Sequence, residues 1–426
     1  MHSENIDERV PAINLLVVCS FIMLAGGLWV DMFTGFFVLE VGLDLKLSLI
    51  YKLIMLFVIF NIITMLSIRV ATVVFFILTG LLFSTGVMFL NFGQLNLFLK
   101  DLAAALKLIV PVTIFSYLFL IAKYDLNILI KWGRLALWSN FIALNVNLFI
   151  GLLGFGYKSY EFGNGEGIGI NGYYTAGNEL GGVFVLFFSY ALIRAWDKNK
   201  FLYLLLSILT LIWGVLIATK TTILSSILLV SLIPIFAERN LFFFLTPLKL
   251  ILTSFLLFMS VFSYIYISPM LSSLTIWERF VWIYESKGIL GLILSGRELY
   301  STNLLVIFSE KYSVVQWLFG AGVSGIMQYT DKFSAEIDIV DIFVWLGSFG
   351  VFIMLITLFL FIWHSYQALK ISSSQYAPAA AVSNIILISL SFLSGHIITS
   401  GILGFGWALL NGMVLTDIYL NRLKKC

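Results

Sequence analysis

SLIYKLIMLFVIFNIITMLSIRVATVVFFILTGLLFSTGVMFLN, residues 48–91, carries only two charges, Lys52 and Arg69. A bilayer span takes about 20 predominantly apolar residues. The stretch therefore holds two spans, 48–67 and 70–91. The rest of the chain has the same character. Its 426 residues are 61% hydrophobic and 11% charged, with a mean hydropathy of +1.05. A soluble domain carries roughly 25% charged residues. The length rule gives ten further spans, at 12–30, 104–122, 133–155, 178–195, 200–218, 221–236, 246–267, 339–364, 378–397 and 403–420. The stretch 32–44 is apolar but too short to cross, and it reads as a re-entrant or interfacial segment. The expected fold is an all-α polytopic membrane protein. One integral membrane domain covers 1–426, with about 12 transmembrane helices.

Basic residues orient the bundle. With the N-terminus in the cytoplasm, 14 of the 25 Lys and Arg fall inside. Of the 11 outside, five lie in one long loop, where charge has little influence on insertion, so the effective comparison is 14 against 6. Both ends are expected inside. A glycine-rich loop, 156–177, and a large loop, 268–338, are then both external. Residues 268–338 hold 12 of the chain's 47 charged residues together with Trp277, Phe280, Trp282 and Trp317. That mixture argues for a packed, partly helical cap and against disorder. Acidic residues (Glu4, Asp7, Glu8) precede the first apolar run, and no small-residue cleavage pattern follows it, as in a signal anchor. Cys19 and Cys426 cannot pair in the outer loops, so the fold does not depend on disulfides. No G-x-x-x-x-G-K-[ST] is present, and no soluble nucleotide-binding domain.

The candidates for chemistry lie in the external segments. Arg297, in SGRELYSTNLLVIF, follows a Ser-Gly helix start, and a guanidinium in a first turn can hold phosphate oxygens; its plain alternative is a solvated surface Arg. Arg279, among aromatics in IWERFVWIY, and Lys220, in IATKTTILSS, are further external cations, either of which equally suits snorkelling. AEIDIVDIFVWLGSFG brings Glu336, Asp338 and Asp341 to the mouth of a span with no cation among them. Crowded carboxylates at the edge of hydrocarbon raise a pKa and supply a general base, or else they are solvated helix-start acids. In YEFGNGEGIGINGYYTAGNELGG, Tyr173, Tyr174 and Asn178 can face a sugar, against a plain interfacial turn. His396, in SGHIITSG, is more often a hydrogen bonder between helices than a catalyst. A metal held by the E-x-D pattern has no histidine nearby to support it.

The segments GYYTAGNELG (172–181), TKT (219–221), SGR (295–297), LFGAG (318–322) and EIDIVDIFVWLGSFG (336–350), in this order across a twelve-span chain, resemble the Wzy-type O-antigen polymerases. The O-antigen ligases are wider relatives. The resemblance is clearest over about 170–420. In the ligases a His, a polar residue and nine others precede G-x-x-G; counting back from Gly347 and Gly350 puts Glu336 where that His stands, which matches the acidic pattern of the polymerases. The resemblance implies a GT-C-like glycosyltransferase architecture. The implied enzyme acts on the outer face of a bacterial inner membrane, with no metal or cofactor. Its donor is an undecaprenyl-pyrophosphate-linked oligosaccharide, and its acceptor is another lipid-linked repeat unit. The implied partners are that lipid-linked glycan and membrane lipids, with room for a chain-length regulator and none for nucleic acid. In this scheme Arg297, with Arg279 and Lys220, neutralises the leaving pyrophosphate, and Glu336, Asp338 or Asp341 orients or deprotonates the acceptor hydroxyl. Tyr173, Tyr174, Asn178 and His396 would contact substrate. The alternatives are a ligase and a flippase or transporter. A transporter would show two related halves and ionisable residues near the midplane.

Overall fold

The computed structural model describes residues 5–161, 167–175, 177–238, 284–285, 288, 297–371, 373–393 and 395–424. Arg279, the span expected at 246–267 and the first part of the large loop, including Ser295 and Gly296, lie outside the described residues.

The described residues are helical almost throughout. In order the helices are α1 (Asn5–Phe36), α2 (Leu47–Leu66), α3 (Ile68–Phe92), α4 (Leu95–Tyr124), α5 (Leu126–Leu152), α6 (Gly177–Lys198), α7 (Lys200–Ile217), α8 (Lys220–Ala237), α9 (Arg297–Lys311), α10 (Val314–Phe319), α11 (Gly322–Ile326), α12 (Asp338–Leu369), α13 (Ala377–Leu393) and α14 (Gly404–Leu423). Among the described residues nine helices are long and apolar enough to cross a membrane: α1 to α8 and α12. They coincide with nine of the expected spans. α13 is apolar but shorter, and α14 has the length of a span without the hydropathy.

Single polar residues make the tight connections. Ser67, Asp125 and Asn199 each end one helix and begin the next in extended backbone. Their side chains accept from Val70 N at 3.4 Å, from Asn127 N and Ile128 N at 2.9 and 3.0 Å, and from Phe201 N at 2.8 Å. A short side-chain acceptor satisfies the first amides of a helix, so a hairpin can turn on one residue. α4 and α6 are the central helices, with 83% and 89% of their apolar windows buried against 28–50% for the others. The outer helices present Phe57, Phe76, Leu90 and Phe359 outward, the apolar belt expected of a lipid-facing surface. Buried polar side chains tie the bundle across helices. Asn140 accepts from Leu28 N and donates to Leu24 O, and Asn384 and Asn411 bond each other at 2.9 and 3.1 Å.

The segment 32–44 is not a separate re-entrant piece. α1 runs through it to Phe36 and passes into a π-helical turn, Phe37–Val41. The helix crosses its charge at Asp31 because Lys52 Nζ pairs with that carboxylate at 2.8 Å and Ser48 also donates to it.

The glycine-rich segment folds onto the same end of the bundle. Tyr160–Glu161 and Gly167–Ile168 pair as short antiparallel strands β1 and β2. Ser159 Oγ donates to Ile217 O at 2.6 Å, Ile170 N to Leu216 O at 3.1 Å, and Asn147 Nδ2 to Asn171 O at 2.7 Å. The segment is therefore a plug over α5 and α7, held by bonds to main-chain carbonyls.

Candidate functional site

Four separate parts of the chain meet at one end of the bundle: the start of α9, residues 332–341, the α13–α14 connection, and the first turn of α6. Glu336 lies between two cations. Arg297 Nε donates to its Oε2 at 3.2 Å, and Lys332 Nζ lies 3.2 Å from its Oε1 and 3.5 Å above the Tyr300 ring. Burial pushes the Glu336 carboxyl up, but Lys332 and Arg297 outweigh it and hold it below the ordinary value. Glu336 is thus an ionised partner that aims Arg297. Glu336 is therefore not the member of the acidic trio in which crowding raises the pKa.

Asp338 and Asp341 are clamps. Asp338 is 1% exposed, and both its oxygens are occupied. Oδ2 accepts from Ile397 N and Ile398 N at 3.0 and 2.8 Å, and Oδ1 accepts from Thr399 N and Thr399 Oγ1 at 3.2 and 2.6 Å. Asp341 is fully buried and accepts from Ser334 Oγ at 2.7 Å and Ala335 N at 2.6 Å. Each carboxylate pins one loop to the first turn of α12. Asp338 thereby has both oxygens doubly engaged, whereas each Asp341 oxygen accepts a single bond.

The pinned loops press together. Gly395 packs so closely on Glu336 that a Cβ there would stand 1.7 Å from the Glu336 carbonyl oxygen. Glu336 and its neighbour across this contact, His396, both have left-handed backbone, φ +59 and +57. Strain of this kind costs on the order of 1–3 kcal/mol per residue and persists where the surroundings over-determine it. His396 Nδ1 lies 3.4 Å from Thr399 Oγ1. Burial and the charge of Lys107 hold its imidazole below the ordinary value, against the opposing pull of Glu179, Asp338 and Glu336. His396 is therefore a neutral ring at pH 7. Glu179, in the first turn of α6, accepts from Ser400 Oγ at 3.1 Å and Gly401 N at 3.2 Å, so α6 grips the same connection.

Lys107 was not singled out in the sequence. It projects from the central helix α4 with its Nζ 5.6 Å from the centroid of Trp345. It makes no hydrogen bond or ion pair among the described residues. The readable signal was a lysine inside an apolar span, where an ionisable residue is a functional candidate. Lys332 and Glu179 were also passed over, since nothing local distinguishes them from surface charges.

The short glycine motifs meet each other. α12 breaks at Gly347, φ +67 and ψ −169. This lets the LFGAG turn approach main chain to main chain: Ala321 N donates to Val344 O at 3.0 Å, and a Cβ on Gly347 would lie 2.4 Å from Leu318 O. Asp101 of α4 accepts from Ser324 N at 2.8 Å and from Ser324 Oγ, fixing α11 below this turn.

The two tyrosines of the glycine-rich segment are packed into the bundle. Tyr173 and Tyr174 are 7% and 2% exposed. Their hydroxyls reach Glu40 Oε1 and Leu28 O, both at 3.2 Å, and Tyr173 stacks edge-on against Phe36. Both rings are packed against α1 and offer no face to a sugar. Asn178 is half-buried in the first turn of α6, and Lys220 is an exposed first residue of α8 behind its cap Thr219. Among the described residues no three His, Cys, Asp or Glu side chains converge as metal ligands do. No protein-family model matches the chain, and no curated protein is similar to it.

Proposed function

We propose that this chain is a membrane glycosyltransferase that polymerises lipid-linked repeat units of a bacterial surface polysaccharide, O-antigen or capsule. It would act on the outer face of the inner membrane, with both termini in the cytoplasm. One observation carries the reading: Arg297 and Glu336, far apart in the chain and both members of the motif set that resembles the polymerases, are ion-paired at one end of the bundle beside Lys107, Lys332 and His396.

The chemistry suits the set. The acceptor hydroxyl oxygen attacks the anomeric carbon of the donor sugar. The bond from that carbon to the phosphate oxygen breaks, and undecaprenyl pyrophosphate leaves with the electron pair. Arg297, held by Glu336, and the ammonium of Lys107, unpaired among the described residues, offset the charge that develops on the leaving group. The hydroxyl proton passes to neutral His396. Asp338 and Asp341 keep the loops that carry His396 and Glu336 in register.

The test is a pair of variants, Arg297→Ala and Lys107→Met, in cells without the native copy. Removing one preorganised charge costs on the order of 10²–10³ in rate. Each variant should reach the membrane at normal level yet leave single repeat units in place of long polymer. Normal-length polymer in the Arg297→Ala strain refutes the assignment. Loss of the whole protein separates the alternatives: a flippase leaves no displayed units, a ligase leaves long lipid-linked polymer unattached.

A further inference from the structure

The opposite end of the bundle has a second cationic feature that this reaction does not use. Arg194 lies fifteen residues along α6 from Glu179, roughly 22 Å at the helical rise. A cavity of about 620 Å³ opens there between α5, α6 and α7, walled by Trp138, Phe141, Leu202 and Leu206. Arg194, Lys198 and Gln375 line its rim, as does the exposed Asp197. Arg194 Nη1 donates to Gln375 Oε1 at 2.8 Å, and Arg134 Nη2 donates to the same oxygen at 3.4 Å. Two guanidiniums thus share one neutral acceptor: Arg194 lines the cavity, and Arg134 reaches it through Gln375. Neither has a carboxylate partner among the described residues; the Arg134 guanidinium lies beside the Tyr376 hydroxyl, and its buried Nε meets no acceptor at hydrogen-bonding geometry.

Paired guanidiniums of this kind fit a phosphate, which accepts in the same plane as their N–H forks. The walls say which phosphate. A free anion gains nothing from Trp138, Phe141, Leu202 and Leu206, whereas an acyl chain does. Leu202 is 41% exposed on the outward face of α7, so the cavity opens toward the lipid-facing side. This end also collects the basic residues expected on the cytoplasmic side, where the leaflet is rich in anionic lipid.

We propose that the cavity is a binding site for an anionic phospholipid of the cytoplasmic leaflet. Its phosphate sits on Arg134 and Arg194, and an acyl chain lies along Trp138, Phe141, Leu202 and Leu206. The site is independent of the reaction assigned to the other end.

The experiment uses the full chain in a non-ionic detergent, titrated with phosphatidylglycerol, with phosphatidylcholine of the same chains, and with inorganic phosphate. Retained lipid is read by native mass spectrometry and stability by thermal unfolding. Phosphatidylglycerol alone should be retained and should raise the midpoint. Arg134→Gln and Arg194→Gln should each weaken it roughly fivefold, about 25-fold together. Equal retention of phosphatidylcholine, an equal response to inorganic phosphate, or undiminished phosphatidylglycerol binding in the double variant overturns the proposal. If the double variant does not fold, Leu206→Trp decides: it fills the apolar wall, should weaken phosphatidylglycerol binding with both arginines intact, and overturns the proposal if it does not.

Discussion

Replacing Asp338 with Asn tests whether this carboxylate is a clamp or a catalyst. In the native protein it accepts four hydrogen bonds from residues 397–399. An amide retains one oxygen, and its NH2 group would face amides that also donate. At roughly 1.5–3 kcal/mol per bond to a charged acceptor, losing two of the four costs about 3–6 kcal/mol. Removing the charge also relieves repulsion from Asp341. Three residues apart on a helix, at about 6 Å and an effective dielectric near 20, that relief is at most about 3 kcal/mol, and the nearby Lys107 cation reduces it. Hydrogen bonding therefore wins by about 2 kcal/mol. The local readout is hydrogen exchange over the 395–403 peptide in detergent. The amides of Ile397, Ile398 and Thr399 should lose protection by about thirtyfold in Asp338→Asn, while peptides from α4 and α6 stay unchanged. Unchanged protection at 397–399 together with lost polymer synthesis refutes the clamp and returns Asp338 to the chemistry.

Three further outcomes follow from other parts of the structure. Gly347→Ala forces a Cβ into a backbone conformation open only to glycine and against Leu318 O, so it should cost about 3 kcal/mol or more in unfolding experiments; Gly86→Ala, where a Cβ meets nothing, should be neutral or slightly stabilising. His396 is held below its ordinary value, so its contribution to stability is complete above about pH 6.5 and is lost as the pH falls through its depressed value; the thermal midpoint should drop across that window, and His396→Gln should flatten it, whereas the acid loss due to Glu336 begins only below about 4.5. Asp31→Asn leaves the buried Lys52 ammonium uncompensated and should cost about 3–5 kcal/mol, most of which Asp31→Asn with Lys52→Met should restore; a double-mutant cycle without that recovery shows that the pair does not bridge α1 and α2 as described.

The parts legible in the sequence are those decided by local composition. Twenty apolar residues in a row make a span wherever they fall, and for this reason nine expected spans coincide with nine long apolar helices. The misreadings have a common cause. The expected first span stops at residue 30 and leaves 32–44 as a separate piece; Lys52 of the next helix pairs with Asp31, so α1 carries that charge and continues to Phe36. Tyr173 and Tyr174 looked like sugar-facing aromatics because they follow a glycine-rich run, yet the acceptors for their hydroxyls lie on α1 and the turn that follows it, more than 130 residues away. In each case the deciding partner is remote, and periodicity carries no information about it.

The acidic motif shows the same division at finer scale. In the sequence Glu336, Asp338 and Asp341 are three like charges at a span entrance, and crowding predicts a raised pKa in at least one of them. Three-dimensional partners separate them. Asp338 and Asp341 each spend both oxygens on loop amides and hydroxyls, and Glu336 is neutralised by Arg297 and Lys332. His396, a neutral ring that the same clamps deliver to Glu336 through the contact of Gly395, is a further group able to accept a proton. On the proposed polymerase reading, the carboxylates of the motif hold the site together and His396 enters it from the α13–α14 connection. Rigidity of residues 395–403 then becomes a condition for catalysis, because Asp338 and Glu179 grip that connection from two sides and a slip of either would carry the imidazole away from the paired Arg297 and Glu336.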